Sequence, residues 1–266
     1  MVSRIVLILI IILAIFLRFW DLNILPPSLN WDEVSIGYNA YSILKTGQDE
    51  WGELMPLSFR AFGDYKLPGY IYLDVPFIYI FGLNEWGVRF PSALLGVGLT
   101  ILIFLILRDL TNRRTAIYGA LVIAILPWTI ILSRIALEAH LALFLTVLGL
   151  YLFILGLKKN KFLIISAIAF GLTIFSYNSS RVVTPLIILF LGISYFQKLK
   201  NKKIALLSLV IFLAFFALAL PRALLQDSSA RYRWTAVLDE GAINHINEAR
   251  SLSTLLFPRL IYNKVT

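Results

Sequence analysis

Asp32 and Glu33 are adjacent carboxylates set just after the first hydrophobic run, at the head of a long acid-rich stretch. Paired carboxylates beside a bilayer surface are suited to positioning a polar substrate and to taking a proton from it. Four basic residues stand singly at the ends of apolar runs. Lys66 precedes Leu67-Pro68, Arg89 precedes Phe90-Pro91, Arg134 lies in Ser133-Arg134-Ile135, and Arg181 closes Ser176-Tyr177-Asn178-Ser179-Ser180. Cations grouped near a carboxylate pair suit a reaction that expels a phosphate attached to a lipid. Lys and Arg neutralise the departing phosphate, and a carboxylate accepts the acceptor's proton. Blander roles compete: Asp32 is as well suited to capping a helix that begins at Glu33, and Arg89 and Arg134 to snorkelling toward headgroups.

The elements that must hold these residues follow from composition. The chain has 266 residues, of which 59% are hydrophobic and only 15% charged, with a mean hydropathy of +0.83. So little polar surface cannot cover a dispersed soluble domain, and several membrane spans are expected. The net charge of +9 does not point to nucleic acid, because the basic residues cluster between apolar runs, where topology accounts for them. The absence of cysteine excludes disulfides and a thiol nucleophile, and two histidines, His140 and His245, make a histidine zinc site a poor expectation. His140 reads as an interfacial residue and His245 as part of a solvated face.

Val2 to Leu17 reads as an uncleaved first span, since no small-x-small site follows it. Six more apolar runs lie near 90–107, 115–133, 139–157, 162–177, 182–197 and 203–220. Each is long enough to cross a core of about 30 Å, the shorter ones with local thinning. Arg108, Arg113 and Arg114, then Lys158, Lys159 and Lys161, then Lys198, Lys200, Lys202 and Lys203 fall with Arg4 on one side, assigned to the cytoplasm. Residues 1–221 are therefore expected to form an all-α polytopic module of about seven spans in the plasma membrane, its amino terminus cytoplasmic.

The outer loop then runs from about Arg18 to Arg89 and carries nine acidic residues from Asp21 to Glu85. Its many aromatics argue for order. Glu33 to Leu44 reads as a short amphipathic helix with Val34, Ala40, Tyr41 and Leu44 on its apolar side, ended by Gly47. Leu67 to Gly82 is apolar, but it is short and holds Pro68, Gly69, Asp74 and Pro76. It reads as a helix along or dipping into the outer face. Residues 222–266 read as a second outer segment with a surface helix over Ala236–Leu252, and a new apolar stretch begins just before Thr266, as expected of a piece of a longer protein.

Taken in order, Leu25-Pro26-Pro27-Ser28-Leu29-Asn30-Trp31-Asp32-Glu33, Gly63-Asp64-Tyr65-Lys66-Leu67-Pro68-Gly69-Tyr70 and Glu85-Trp86-Gly87-Val88-Arg89-Phe90-Pro91-Ser92-Ala93-Leu94 carry a resemblance. Ser133-Arg134 and Tyr262-Asn263-Lys264 add to it. The chain resembles the GT-C superfamily of membrane glycosyltransferases, nearest to dolichyl-phosphate-mannose–protein mannosyltransferases and undecaprenyl-phosphate-aminoarabinose lipid A transferases. The resemblance implies inverting transfer of a sugar from a polyprenyl-phosphate donor to a protein, lipid or glycan acceptor at the outer face. It implies Asp32 as general base, Glu33 as its neighbour for substrate hydroxyls, and Lys66, Arg89 and Arg134 near the donor phosphate. Trp31, Tyr65, Glu138 and Arg181 are further expected substrate contacts. Leu67-Pro68-Gly69 departs from the family pattern, which often has a second proline and sometimes a histidine there. Metal use stays open: Asp32 and Glu33 offer oxygen ligands for Mg2+ or Mn2+, but two adjacent side chains do not make a site. A transporter or flippase of lipid-linked glycans, and a non-catalytic donor-binding subunit, are the competing readings.

Overall fold

A computed structural model describes residues 2–61, 64–222 and 244–248. The surface helix expected over Ala236–Leu252 lies mostly outside them; 244–248 is helical, with His245 and Glu248 exposed as a solvated face. Tyr262-Asn263-Lys264 is also outside.

The apolar runs fold as helices because a backbone in hydrocarbon must satisfy its hydrogen bonds within the segment. They are α1 (Val2–Phe19), α4 (Glu85–Leu110), α5 (Arg113–Ile125), α6 (Pro127–Ser133), α7 (Glu138–Gly156), α8 (Lys161–Thr173), α9 (Ser180–Tyr195) and α10 (Lys202–Arg222). Between α1 and α4 lie α2 (Trp31–Thr46), a hairpin of β1 (Phe59–Ala61) and β2 (Asp64–Lys66), and α3 (Pro68–Phe81). The fold is that of a mainly helical membrane protein. Among the described residues four helices are long and apolar enough to cross a bilayer: α4, α7, α9 with its 3-10 extension, and α10. The pair α5–α6, bent by 58°, makes a fifth if it is one broken span.

That bend has a local cause. Pro127 forces Leu126 into an extended conformation (ψ 120°) and supplies no N–H to the carbonyl of Ile123. Arg18, fully buried near the end of α1, fills the break. Its Nη2 donates to Ile123 O at 2.9 Å and its Nη1 to Ala124 O at 3.1 Å. The hydroxyl of Thr129 adds a second donor to Ile123 O at 2.7 Å. Along α5, Ala116, Ala120 and Ala124 present a small-residue stripe that brings α1 close through Ile10 and Ala14.

The outer segments depart from expectation in three ways. First, α2 starts at Trp31, and its cap is Asn30 rather than Asp32. The Glu33 N–H donates to Asn30 Oδ1 at 2.9 Å, and the Asn30 N–H donates to Glu33 Oε2 at 3.1 Å. This capping box leaves the Asp32 side chain without a capping role. Second, α2 buries Glu33, Ile36, Ala40 and Ile43, whereas Val34 and Tyr41 face outward. The expected apolar stripe was rotated because a carboxylate occupies the buried face. Third, the chain is not purely helical: β1 and β2 pair antiparallel, with Phe59 opposite Lys66 and Arg60 opposite Tyr65. Gly47 ends α2 in the left-handed region (φ 71°), as read from the sequence. The helix expected over Leu67–Gly82 is α3, a 14-residue helix packed on α2, α4 and α7. Ile36, Ala40, Phe59, Tyr70, Ile71 and Val88 form the core beneath α2, the hairpin and α3.

Candidate active site

Each carboxylate of the Asp32-Glu33 pair meets a different cation, and the two fates differ. Glu33 is 1% exposed. Its Oε1 accepts from Arg89 Nε at 2.8 Å and from the Ala136 N–H at 3.1 Å. Its Oε2 accepts from Arg89 Nη2 and from the Asn30 N–H, both at 3.1 Å. That uses about four lone-pair sites, the full capacity of a carboxylate. Arg89, with no exposed surface, is equally committed. Besides Glu33 it donates through Nη1 to Leu22 O and Pro26 O and through Nη2 to Ser28 O, so all five N–H groups have acceptors. Glu33 is therefore not placed to meet substrate hydroxyls, nor Arg89 to meet a phosphate or to snorkel. Together they knot the 22–30 loop to α2, α4 and the turn before α7.

Asp32 and Lys66 form the other pair, with Lys66 Nζ donating to Asp32 Oδ1 at 2.5 Å. The Asp32 side chain is 37% exposed and that of Lys66 8%. Among the described residues this is the hydrogen bond each makes, so both retain capacity for a ligand. Their placement is firm. Asp32 is in the first turn of α2, and Lys66 ends β2, where its neighbour's amide, Leu67 N, donates to Glu138 Oε1 at 2.6 Å. Pro68 and Gly69 then open α3. Gly69 N donates to Phe175 O at 2.9 Å, and a Cβ there would meet Ser176 Oγ at 2.7 Å. Only glycine permits this approach, which seats α3 on the turn leading to Arg181 in α9.

Arg134 does not reach the carboxylates. It donates to the carbonyls of Leu17, Trp20, Asp21 and Leu25, closing the carboxyl end of α1. Glu138 acts on backbone, as above. Trp31 is 73% exposed at the start of α2. Because side chains alternate along a strand, Tyr65 faces away from Lys66. It lines a small polar cavity of about 160 Å3 with Asp49, Trp51, Glu53, Ser58 and Arg60. The donor set does not fit a divalent ion on both Asp32 and Glu33, since Glu33 has no oxygen to spare. Among the described residues no three His, Asp or Glu side chains are gathered for a metal.

Two buried groups carry no local signal in the sequence beyond their apolar surroundings: Arg18 as a structural donor, and the carboxyl of Asp74. His140, expected at an interface, is instead 4% exposed, in the first turn of α7. Asp74, in α3, is fully buried, and neither oxygen has a hydrogen-bond partner among the described residues. Burial pushes its carboxyl up to about 9.

The fold and the family match together place the chain in a class, the GT-C superfamily of membrane glycosyltransferases. Residues 66–220 match the family described as dolichyl-phosphate-mannose-protein mannosyltransferase, and the chain belongs to it. The match begins at Lys66, so Asp32 and Glu33 lie upstream of it. YkcB of Bacillus subtilis (strain 168), provisionally named a mannosyltransferase, is 26% identical over 182 residues, 63% of this chain and 25% of YkcB. The chain thus spans about a quarter of that relative's length. Among solved structures, ArnT of Cupriavidus metallidurans in its apo state superposes with a TM-score of 0.62 at 17% identity, covering 87% of this chain and 44% of ArnT. ArnT bound to undecaprenyl phosphate gives 0.55 at 18%, covering 83% and 41%. The oligosaccharyltransferase AglB of Archaeoglobus fulgidus, in complex with an inhibitory peptide and a dolichol-phosphate, gives 0.59 at 21%, covering 84% and 29%. At such identities the likeness is one of fold.

Proposed function

We propose that residues 1–221 are the catalytic module of an inverting glycosyltransferase that moves a sugar from a polyprenyl phosphate to an acceptor hydroxyl on a protein, lipid or glycan. The observation that carries this reading is the Asp32–Lys66 pair, a carboxylate and an ammonium with spare bonding capacity side by side at one end of a helical membrane module. That ArnT and AglB were solved with undecaprenyl phosphate and dolichol-phosphate supports a donor of that class.

In this mechanism the donor phosphate competes with Asp32 for Lys66. As Lys66 turns to the phosphate, Asp32 is released to accept the proton of the incoming hydroxyl. The acceptor oxygen bonds to the anomeric carbon from the face opposite the phosphate, and the carbon–oxygen bond to phosphate breaks. The polyprenyl phosphate leaves with its charge partly neutralised by Lys66. The Glu33–Arg89 knot keeps Asp32 in register. In the same reading α1, α4, α5–α6, α7, α8, α9 and α10 are seven spans, α2 and α3 lie at the extracytoplasmic surface, and the amino terminus is cytoplasmic.

The test is Asp32→Asn in the intact protein, assayed with a polyprenyl-phosphate sugar. The expected result is a fall in kcat of about 10^2- to 10^4-fold with donor KM nearly unchanged; undiminished transfer removes the assigned base. Lys66→Gln is expected to raise donor KM as well as lower kcat, and an unchanged KM would remove its phosphate role.

A further inference from the structure

The helices α7 to α10 fix two ends of the module. α7 starts at Glu138, which holds Leu67, and α8 ends near Phe175, which receives Gly69. The loops at 157–161 and 198–203 therefore lie at the end remote from Asp32 and Lys66. Next to those loops is a cavity of about 750 Å3 bounded by α8, α9 and α10. Its wall is hydrocarbon, from residues such as Phe170, Ile188 and Phe212. Two hydroxyls in it, Ser166 and Ser208, donate to their own neighbourhood's carbonyls, Gly149 O and Ile204 O, each at 2.8 Å. Such a space has nothing to hold a sugar or water, and it takes an apolar chain.

The rim supplies a headgroup partner. Lys202 lines the cavity and lies 4.7 Å from the Phe196 ring centroid; Lys198 lies 5.2 Å from that of Tyr195. Lys200 and Lys203 are exposed beside them. Lys158, Lys159 and Lys161 stand in the neighbouring loop, and no Asp or Glu occurs in the sequence between Glu138 and Asp227. The excess positive charge at this end is not answered by any acid of these helices. Along α9 the lining runs from Pro185 to Phe196, a rise of about 16 Å, which is about half of a ~30 Å hydrocarbon core. That is the depth of one leaflet.

We propose that this is a binding site for an anionic phospholipid of the lysine-side leaflet, with an acyl chain between α8, α9 and α10 and the phosphate on Lys198, Lys202 and their neighbours. The sugar donor is a different ligand, because its phosphate belongs with Lys66 at the opposite end.

The experiment takes the intact protein in nanodiscs of phosphatidylcholine doped with phosphatidylglycerol and counts retained lipid by native mass spectrometry, with polyprenyl phosphate as competitor. Wild type is expected to keep phosphatidylglycerol in preference to phosphatidylcholine. Changing Lys198, Lys200, Lys202 and Lys203 together to Gln is expected to reduce that preference at least ~10-fold, since each lysine near a lipid surface contributes roughly fivefold. Gly192→Trp, where an added Cβ meets nothing within 4 Å, is expected to fill the cavity and lower retention of both lipids with the lysines intact. Equal retention of the two lipids by wild type, no effect of the lysine changes, or displacement of phosphatidylglycerol by polyprenyl phosphate would each overturn the assignment. The readout is bound lipid and not sugar transfer, so it stands independently of Asp32.

Discussion

The two neighbouring acids differ in how far their hydrogen-bonding capacity is taken up, fully for Glu33 and only by Lys66 for Asp32. Removing either partner of the Glu33–Arg89 pair strands a charge with no exposed surface to reach water. Glu33→Ala or Arg89→Ala is expected to lose about 3–5 kcal/mol of stability, whereas Asp32→Asn, at a side chain 37% exposed whose amide oxygen still accepts from the buried Lys66, should cost less, about 1–2 kcal/mol. Thermal unfolding of the purified variants reads the difference; equal losses would put Asp32 in the same structural role. Asp74 gives a prediction in pH. Its carboxyl is raised to about 9 when folded, against roughly 4 when unfolded, so the folded chain holds a proton that the unfolded chain releases. The stability this provides is complete below about pH 4 and is lost as pH rises toward 9. Asp74→Asn has no proton to lose, so its melting temperature should gain on wild type progressively from pH 5 to 9. Parallel curves would mean that the carboxyl is not protonated in the fold.

In α3 the constraint is steric. Its first turn touches the Phe175–Ser176 turn so closely that Gly69 has no room for a larger side chain, and Lys66 is only three residues earlier. Gly69→Val is expected to shift this end of α3 and weaken donor use by up to about 10^2-fold, the effect of a misplacement near 1 Å, while the helical content by circular dichroism is retained. Unaltered kinetics would show that α3 does not position Lys66. The elements also show what sequence could and could not yield. The helix ends marked by Gly47 and the charged loops, which are local signals, came out closely; the break at Pro127, inside the single run read at 115–133, did not. The face of α2 did not, because the residues it buries include Glu33, which is stable there only through Arg89 on another helix.

At the scale of the molecule, the seven-span reading predicts accessibility. A cysteine at Asn84 should react with an impermeant thiol reagent from outside intact cells, and one at Lys159 only after permeabilisation. The reverse pattern would invert every loop and place Asp32 on the wrong side for a donor used at the outer face.

Hydrophobic run lengths, turn residues and the sorting of acids from lysines are local or one-dimensional properties, and they specified the helices, their approximate ends and the gathering of acids with single cations at one end. The pairings are not local: Asp32 meets Lys66 across 34 residues, Glu33 meets Arg89 across 56, and Glu33 meets the Ala136 amide across 103. Two adjacent carboxylates have the same intrinsic chemistry. Burial and the supply of donors separate them, and both are set by which helices pack together, so the tertiary structure alone made one a structural knot and left the other with bonding capacity to spare.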